Sequence, residues 1–160
     1  MTPAEFSARI LDPARAAFPF HDSPESRAIL LAIAGQESGW MSRFQLGGPA
    51  RGWWQFESEA VADLMNRPAT CLTLKGFCAE QSIPWDAGDL FEAVAWHDPL
   101  AYALARLLLW TDPAPLPGIG DSMGALMYYE RLWRPGKPDA ARWATRYAEA
   151  FHIFAAPAVA

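Results

Sequence analysis

The chain has 160 residues, 52% of them hydrophobic, enough to bury the core of a single domain spanning residues 1–160. Its 13 Lys and Arg against 18 Asp and Glu leave a net charge of −5, which argues against nucleic acid as a partner and gives no attraction to acidic polymers. Met1-Thr2-Pro3-Ala4-Glu5 is acidic where a secretory leader is basic, and no apolar run reaches membrane-spanning length.

In chain order, Thr2-Pro3-Ala4-Glu5 reads as a capping box opening a first helix, which Asp12-Pro13 restarts. The next helix runs from Ser23 to Ser38, with Ser23 as cap, Pro24 in the first turn, Glu25 at the positive end and Gly39 as the stop. Gly47-Gly48-Pro49-Ala50-Arg51-Gly52 breaks regular structure. Helices are predicted over Glu57–Asn66, Cys71–Gln81, Asp89–Trp96 and, capped by Asp98-Pro99, through Leu109. Thr111–Gly120 is a Pro/Gly loop long enough to border a cleft. Asp121 or Ser122 opens another helix, and Asp139 opens the last, on which Trp143, Tyr147, Phe151 and Phe154 form an apolar stripe. No alternating strand pattern is present. The fold class is mainly α, with at most a small β-hairpin or loop region between Trp40 and Phe56.

Leu30, Ile33, Ala34 and Glu37 follow the i, i+3, i+4, i+7 rule, which puts a carboxyl group on the core-facing stripe. Desolvation there raises a carboxyl pKa and suits it to proton donation. The competing reading gives Glu37 an ion-pair partner in Arg43 or Arg51 at a fraying helix end. The loop that follows bears on the choice: the glycines of Gly47 to Gly52 allow close backbone approach, Trp53 and Trp54 offer flat faces, and Gln55 both donates and accepts hydrogen bonds, a combination suited to a sugar. Taken singly, the glycines equally suit turns, the tryptophans the core, and Gln55 a cap for the helix starting near Ser58.

Gln36-Glu37-Ser38-Gly39-Trp40 followed by Gly48-Pro49-Ala50-Arg51-Gly52-Trp53-Trp54-Gln55-Phe56 resembles the soluble lytic transglycosylase and goose-type lysozyme group. That group's hallmark is a Glu-Ser pair followed by Gly-Ala-Arg-Gly-Leu-Met-Gln. Pro49 and the Trp53-Trp54 pair, which stands in place of Leu-Met, depart from it. The resemblance implies a lysozyme-like domain that cleaves the β-1,4 bond between N-acetylmuramic acid and N-acetylglucosamine in peptidoglycan. Glu37 would be the sole acid and base, and Ser38, Arg51, Gly52, Trp53, Trp54 and Gln55 would hold substrate. The group's helical Ala-Tyr-Asn motif matches best at Ala125-Leu126-Met127-Tyr128-Tyr129, with Tyr128 as the tyrosine and Tyr129 in the place of asparagine, although Tyr129 can equally be the functional one. Leu132 to Pro138 is reminiscent of phage-encoded members, which implies delivery to the cell wall in a virus particle, beside other virion proteins, or release at lysis.

Glu57, Glu59 and Asp63 are available as a second acid, but their position at a helix start is sufficient reason for them. Cys71 and Cys78 on one helix stand about 10 Å apart along its axis, too far for a disulfide. His21, His97 and His152 are isolated, so no metal site and no cofactor are expected. A serine hydrolase is disfavoured, because Gly35-Gln36-Glu37-Ser38-Gly39 lacks the nucleophile-elbow spacing. The stronger rival is a non-catalytic virion structural or glycan-binding protein that keeps a lysozyme-like fold.

Overall fold

The computed structural model describes residues 1–155 and is mainly helical. The chain runs through α1 (Pro3–Phe6), a π-helical turn (Ser7–Leu11), α2 (Asp12–Ala17), α3 (Pro24–Ser38), α4 (Ser58–Asn66), α5 (Cys71–Glu80), α6 (Ala87–Val94), α7 (Asp98–Trp110), α8 (Ser122–Trp133) and α9 (Ala140–Phe154). Among the described residues there is no strand. The segment between Trp40 and Phe56 carries only two antiparallel bridges, Phe44 with Arg51 and Arg51 with Phe56.

Local chemistry explains most boundaries. The Thr2 and Glu5 side chains cap each other's backbone N–H groups. Asp12-Pro13 opens α2, with Pro13 in its first turn, and the π turn joins it to α1 without a break, the Asp12 N–H reaching the Ser7 carbonyl. Ser23 accepts from the Ser26 N–H, and Gly39 closes α3 at φ 60°. At α7 the cap is His97, whose Nδ1 accepts from the Leu100 N–H, and not Asp98. Asp86 caps α6 ahead of the predicted start, and Asp121 and Asp139 cap α8 and α9.

Helix α3 lies at the centre, packed chiefly against α9 and also against α7. Every residue from Ala28 to Gln36 is buried, so this helix has no polar face and the predicted stripe covers its whole circumference. On α9, Trp143 and Tyr147 are buried, while Phe151 and Phe154 are half-buried against the core. Cys71 and Cys78 are free, and burial pushes the Cys78 thiol up to about 11.

The loop after α3 is built by its aromatic residues. The Trp40 indole donates to the Leu31 carbonyl at 3.1 Å and lies against Gly35, where an added Cβ would sit 2.4 Å from the ring. The Trp54 indole is fully buried and donates to the Leu30 carbonyl at 2.9 Å. The Trp53 indole donates to Asp98 at 2.9 Å, lies under the Arg43 guanidinium, and meets the edge of Phe6. Arg43 and Asp98 complete this clamp as an ion pair. Gly52 sits at φ 74° with space for no Cβ, which would lie 2.6 Å from Val94.

Trp54 therefore acts as core. Its replacement by alanine should cost about 3–5 kcal/mol in denaturant unfolding; a loss well under 1 kcal/mol would place the ring outside the core.

Candidate active site

Glu37 sits in the last turn of α3, on the wall of a cleft of about 1080 Å³. The cleft is bordered by the Gln45 to Glu59 segment, by Thr111 to Pro113, and by the end of α8 with the loop into α9. Two features disfavour the charged form of Glu37. Burial removes water from the carboxylate, and the C-terminal end of a helix carries partial negative charge. The result is a pKa held above the ordinary value of 4.5, with burial as the larger cause and a hydrogen bond from Tyr129 opposing it.

That hydrogen bond runs from the Tyr129 hydroxyl to Glu37 Oε1 at 2.5 Å. The Tyr129 ring is fixed by stacking on Trp143, with centroids 5.1 Å apart and planes 10° from parallel. Trp143 in turn is anchored through its indole N–H to the Ser122 carbonyl. Tyr129 is itself held protonated, by burial first and by Glu37 second. It is a fixed hydrogen-bond donor to the carboxylate.

The cationic partners weighed from the sequence are committed elsewhere. Arg43 pairs with Asp98, and Arg51 donates to the Pro49 carbonyl and spans the Phe44 and Phe91 rings. Among the described residues no ion pair includes Glu37. The desolvated reading of this carboxyl is the one the geometry carries.

The structure redistributes the remaining candidates. Gln55 lines the cleft at φ 51°, its amide donating to the Gly52 carbonyl at 2.6 Å. Ser38 does not border the cleft: its hydroxyl donates to the Ala34 carbonyl and accepts from the Trp40 N–H, so it shapes the turn after α3. Arg51 and Gly52 are likewise scaffold of the loop and not cleft wall. Trp53 and Trp54 correct an expectation, because both rings are consumed by the core and neither is available for sugar stacking. Tyr128 points the other way, its hydroxyl donating to the Leu109 and Ala114 carbonyls. Adjacent helical residues diverge by about 100°, so Tyr128 and Tyr129 cannot both face Glu37.

Sequence reasoning missed two cleft residues. Trp133 lines the cleft half-buried, its indole donating to the Trp54 carbonyl at 3.0 Å. Its place one turn after Tyr129 on α8 was the available signal. Gln36, 8% exposed, also lines the cleft; its amide donates to the Asp139 carbonyl at 3.3 Å and its Oε1 has no partner. Glu57, Glu59 and Asp63 all border the cleft as well. Asp63 pairs with Arg67 and Glu59 accepts from Ser58, while Glu57 holds the N-cap position of α4 without a side-chain cap bond. Among the described residues no group of three His, Cys, Asp or Glu is placed to hold a metal ion, and no helix is long and apolar enough to cross a membrane. No family model, curated protein or solved structure matches this chain.

A raised folded-state pKa makes Glu37 a pH-dependent burden on stability. Below the ordinary carboxyl pKa both folded and unfolded chains hold the proton, so Glu37 contributes nothing. As pH rises, the unfolded chain ionises first and stability falls until the folded pKa is passed. Glu37→Gln should therefore melt at a higher temperature than the native chain at pH 7, the gap closing near pH 4. A gap of the same size at both pH values would contradict the raised pKa.

Proposed function

We propose that this chain cleaves the β-1,4 bond between N-acetylmuramic acid and N-acetylglucosamine in peptidoglycan, within a lysozyme-like domain and with Glu37 as acid and base. The observation that carries the reading is the unpaired, desolvated carboxyl of Glu37, held by Tyr129 on the wall of an extended cleft. A glycan-binding module gains nothing from such a group. The cleft, at about 1080 Å³, stands at the upper end of the ~300–1,000 Å³ typical of ligand pockets, room for a segment of a polymeric ligand.

In this mechanism protonated Glu37 gives its proton to the glycosidic oxygen as the bond to the anomeric carbon breaks. The substrate's own acetamido oxygen closes on that carbon, which removes the need for a nucleophilic carboxylate. Glu37, now ionised and hydrogen-bonded by Tyr129, accepts a proton from the incoming nucleophile. If that nucleophile is the muramoyl 6-hydroxyl the product is a 1,6-anhydro sugar; if it is water the product is a reducing end. Gln55 presents its amide to the sugar's hydroxyl and acetamido groups, and Trp133 supplies the partly exposed ring that Trp53 and Trp54 do not. The site would act in the bacterial cell wall, with delivery in a virus particle or release at lysis.

Purified cell walls should lose turbidity with the native chain. With Glu37→Gln the rate should fall by roughly 10²–10⁴-fold, the usual size of a general acid–base contribution. Equal rates for the two proteins, or no clearing by either, would sink the proposal. The mass of the released fragments separates the two outcomes, since the anhydro product is lighter by one water.

A further inference from the structure

Arg106 lies on α7, away from Glu37, and is 3% exposed. A guanidinium carries five N–H donors, and proteins that bury one normally surround it with acceptors and a counter-charge. Here the hydrogen-bond partner is the His21 carbonyl, 2.8 Å from Nη2, and Nε is buried with no acceptor. Among the described residues no ion pair includes Arg106. The Asp22 carboxylate, whose charge Arg106 feels, is held by Arg15 and Arg27. One turn earlier on α7, the fully buried Tyr102 hydroxyl is also without a partner, and burial pushes its pKa up to about 12.

Arg106 borders a pocket of about 560 Å³ that opens beneath the Pro/Gly loop. Its other walls are mostly apolar: Leu109 and Trp110 from α7, and Pro113, Pro115 and Leu116 from the loop. The one carboxylate on its rim, Asp112, is neutralised by Arg131. Arg106 also lies over the Phe20 ring, 5.8 Å from its centroid, but has no carboxylate of its own. A buried cation without a carboxylate partner, beside an apolar pocket, suits an anionic group joined to an apolar body. We propose that this pocket binds an organic carboxylate carried on a small apolar body. The carboxylate pairs with the Arg106 guanidinium, whose planar fork suits it, and the body packs against Trp110 and Leu116.

Two sources supply that chemistry, a free small acid or the C-terminal carboxylate of a peptide. The pocket and the Glu37 cleft share Asp112 and Pro113 in their linings. The inference stands on Arg106 and its pocket alone, whatever chemistry the cleft performs.

The test is an NMR titration of the ¹⁵N-labelled full chain with butyrate, with N-acetyl-alanyl-alanine, and with the C-terminal amide of that dipeptide, at constant ionic strength. Saturable shifts of the Trp110 indole and Arg106 Nε–H signals are expected with a carboxylate. The amide should bind about tenfold or more weakly, the scale of a charge-assisted hydrogen bond. A response to butyrate alone assigns a free acid, to the dipeptide alone a peptide terminus, and to both a general carboxylate site. Arg106→Met should abolish the response. Ala114→Leu, at an exposed loop position on the pocket wall, should abolish it too and decides the matter should Arg106→Met fail to fold. No saturable shift with either acid, equal binding of the amide, or undiminished binding by the substituted chains would overturn the proposal.

Discussion

The structure depends on burying α3 around its entire circumference. A helix with no polar face must be enclosed by other elements, and α7, α9 and the loop from Trp40 to Phe56 supply that enclosure. Enclosure forces close approach, which is why Gly35 carries no side chain where Trp40 lies across it. It also sets the chemistry at the helix end. Glu37 leaves the core at the last turn, desolvated by the packing that precedes it, and meets only the hydroxyl of Tyr129. The strength of the core and the perturbed acid are two results of one arrangement.

Aromatic side chains hold the arrangement together through directed bonds as well as area. The Trp40 and Trp54 indoles donate to carbonyls of α3, Trp53 to Asp98, Trp133 to the Trp54 carbonyl and Trp143 to Ser122. Each link ties a loop or helix end to a neighbouring element. Cleft geometry is thus inherited from the core: the stack of Tyr129 on Trp143 aims the hydroxyl at Glu37, and the Arg43 and Asp98 pair keeps both charges away from it.

Much of this was legible in the sequence, because its signals are local. Capping residues and prolines mark most helix boundaries, and the spacing of Glu37 from Leu30 already puts it on a buried surface. Backbone continuity was less legible: Asp12-Pro13 marks the start of α2, but no local signal marks the π turn that joins it to α1. His97 took the cap expected of Asp98, which freed that carboxylate to clamp the loop. The site was less legible than the fold. Tyr128 and Tyr129 differ by one position and face different cavities, a distinction set by how α8 is rotated against α3 and α7. A tryptophan beside a Gly-rich loop is equally consistent with a sugar platform and with a core anchor, and only the indole partners decide between them. Trp133 lies within the Leu132 to Pro138 run, but its place on the cleft wall follows from where the end of α8 packs.

The central claim is that Glu37 is a carboxyl group kept protonated above the ordinary range by its surroundings and steadied by one tyrosine. The most direct measurement is the ¹³C NMR titration of the Glu37 side-chain carboxyl in the native chain and in Tyr129→Phe. The account predicts a midpoint above the ordinary value of 4.5 in the native chain. It predicts a further rise when the tyrosine hydroxyl, which favours the ionised form, is removed. A native midpoint at or below the ordinary value, or a downward shift in Tyr129→Phe, would contradict it.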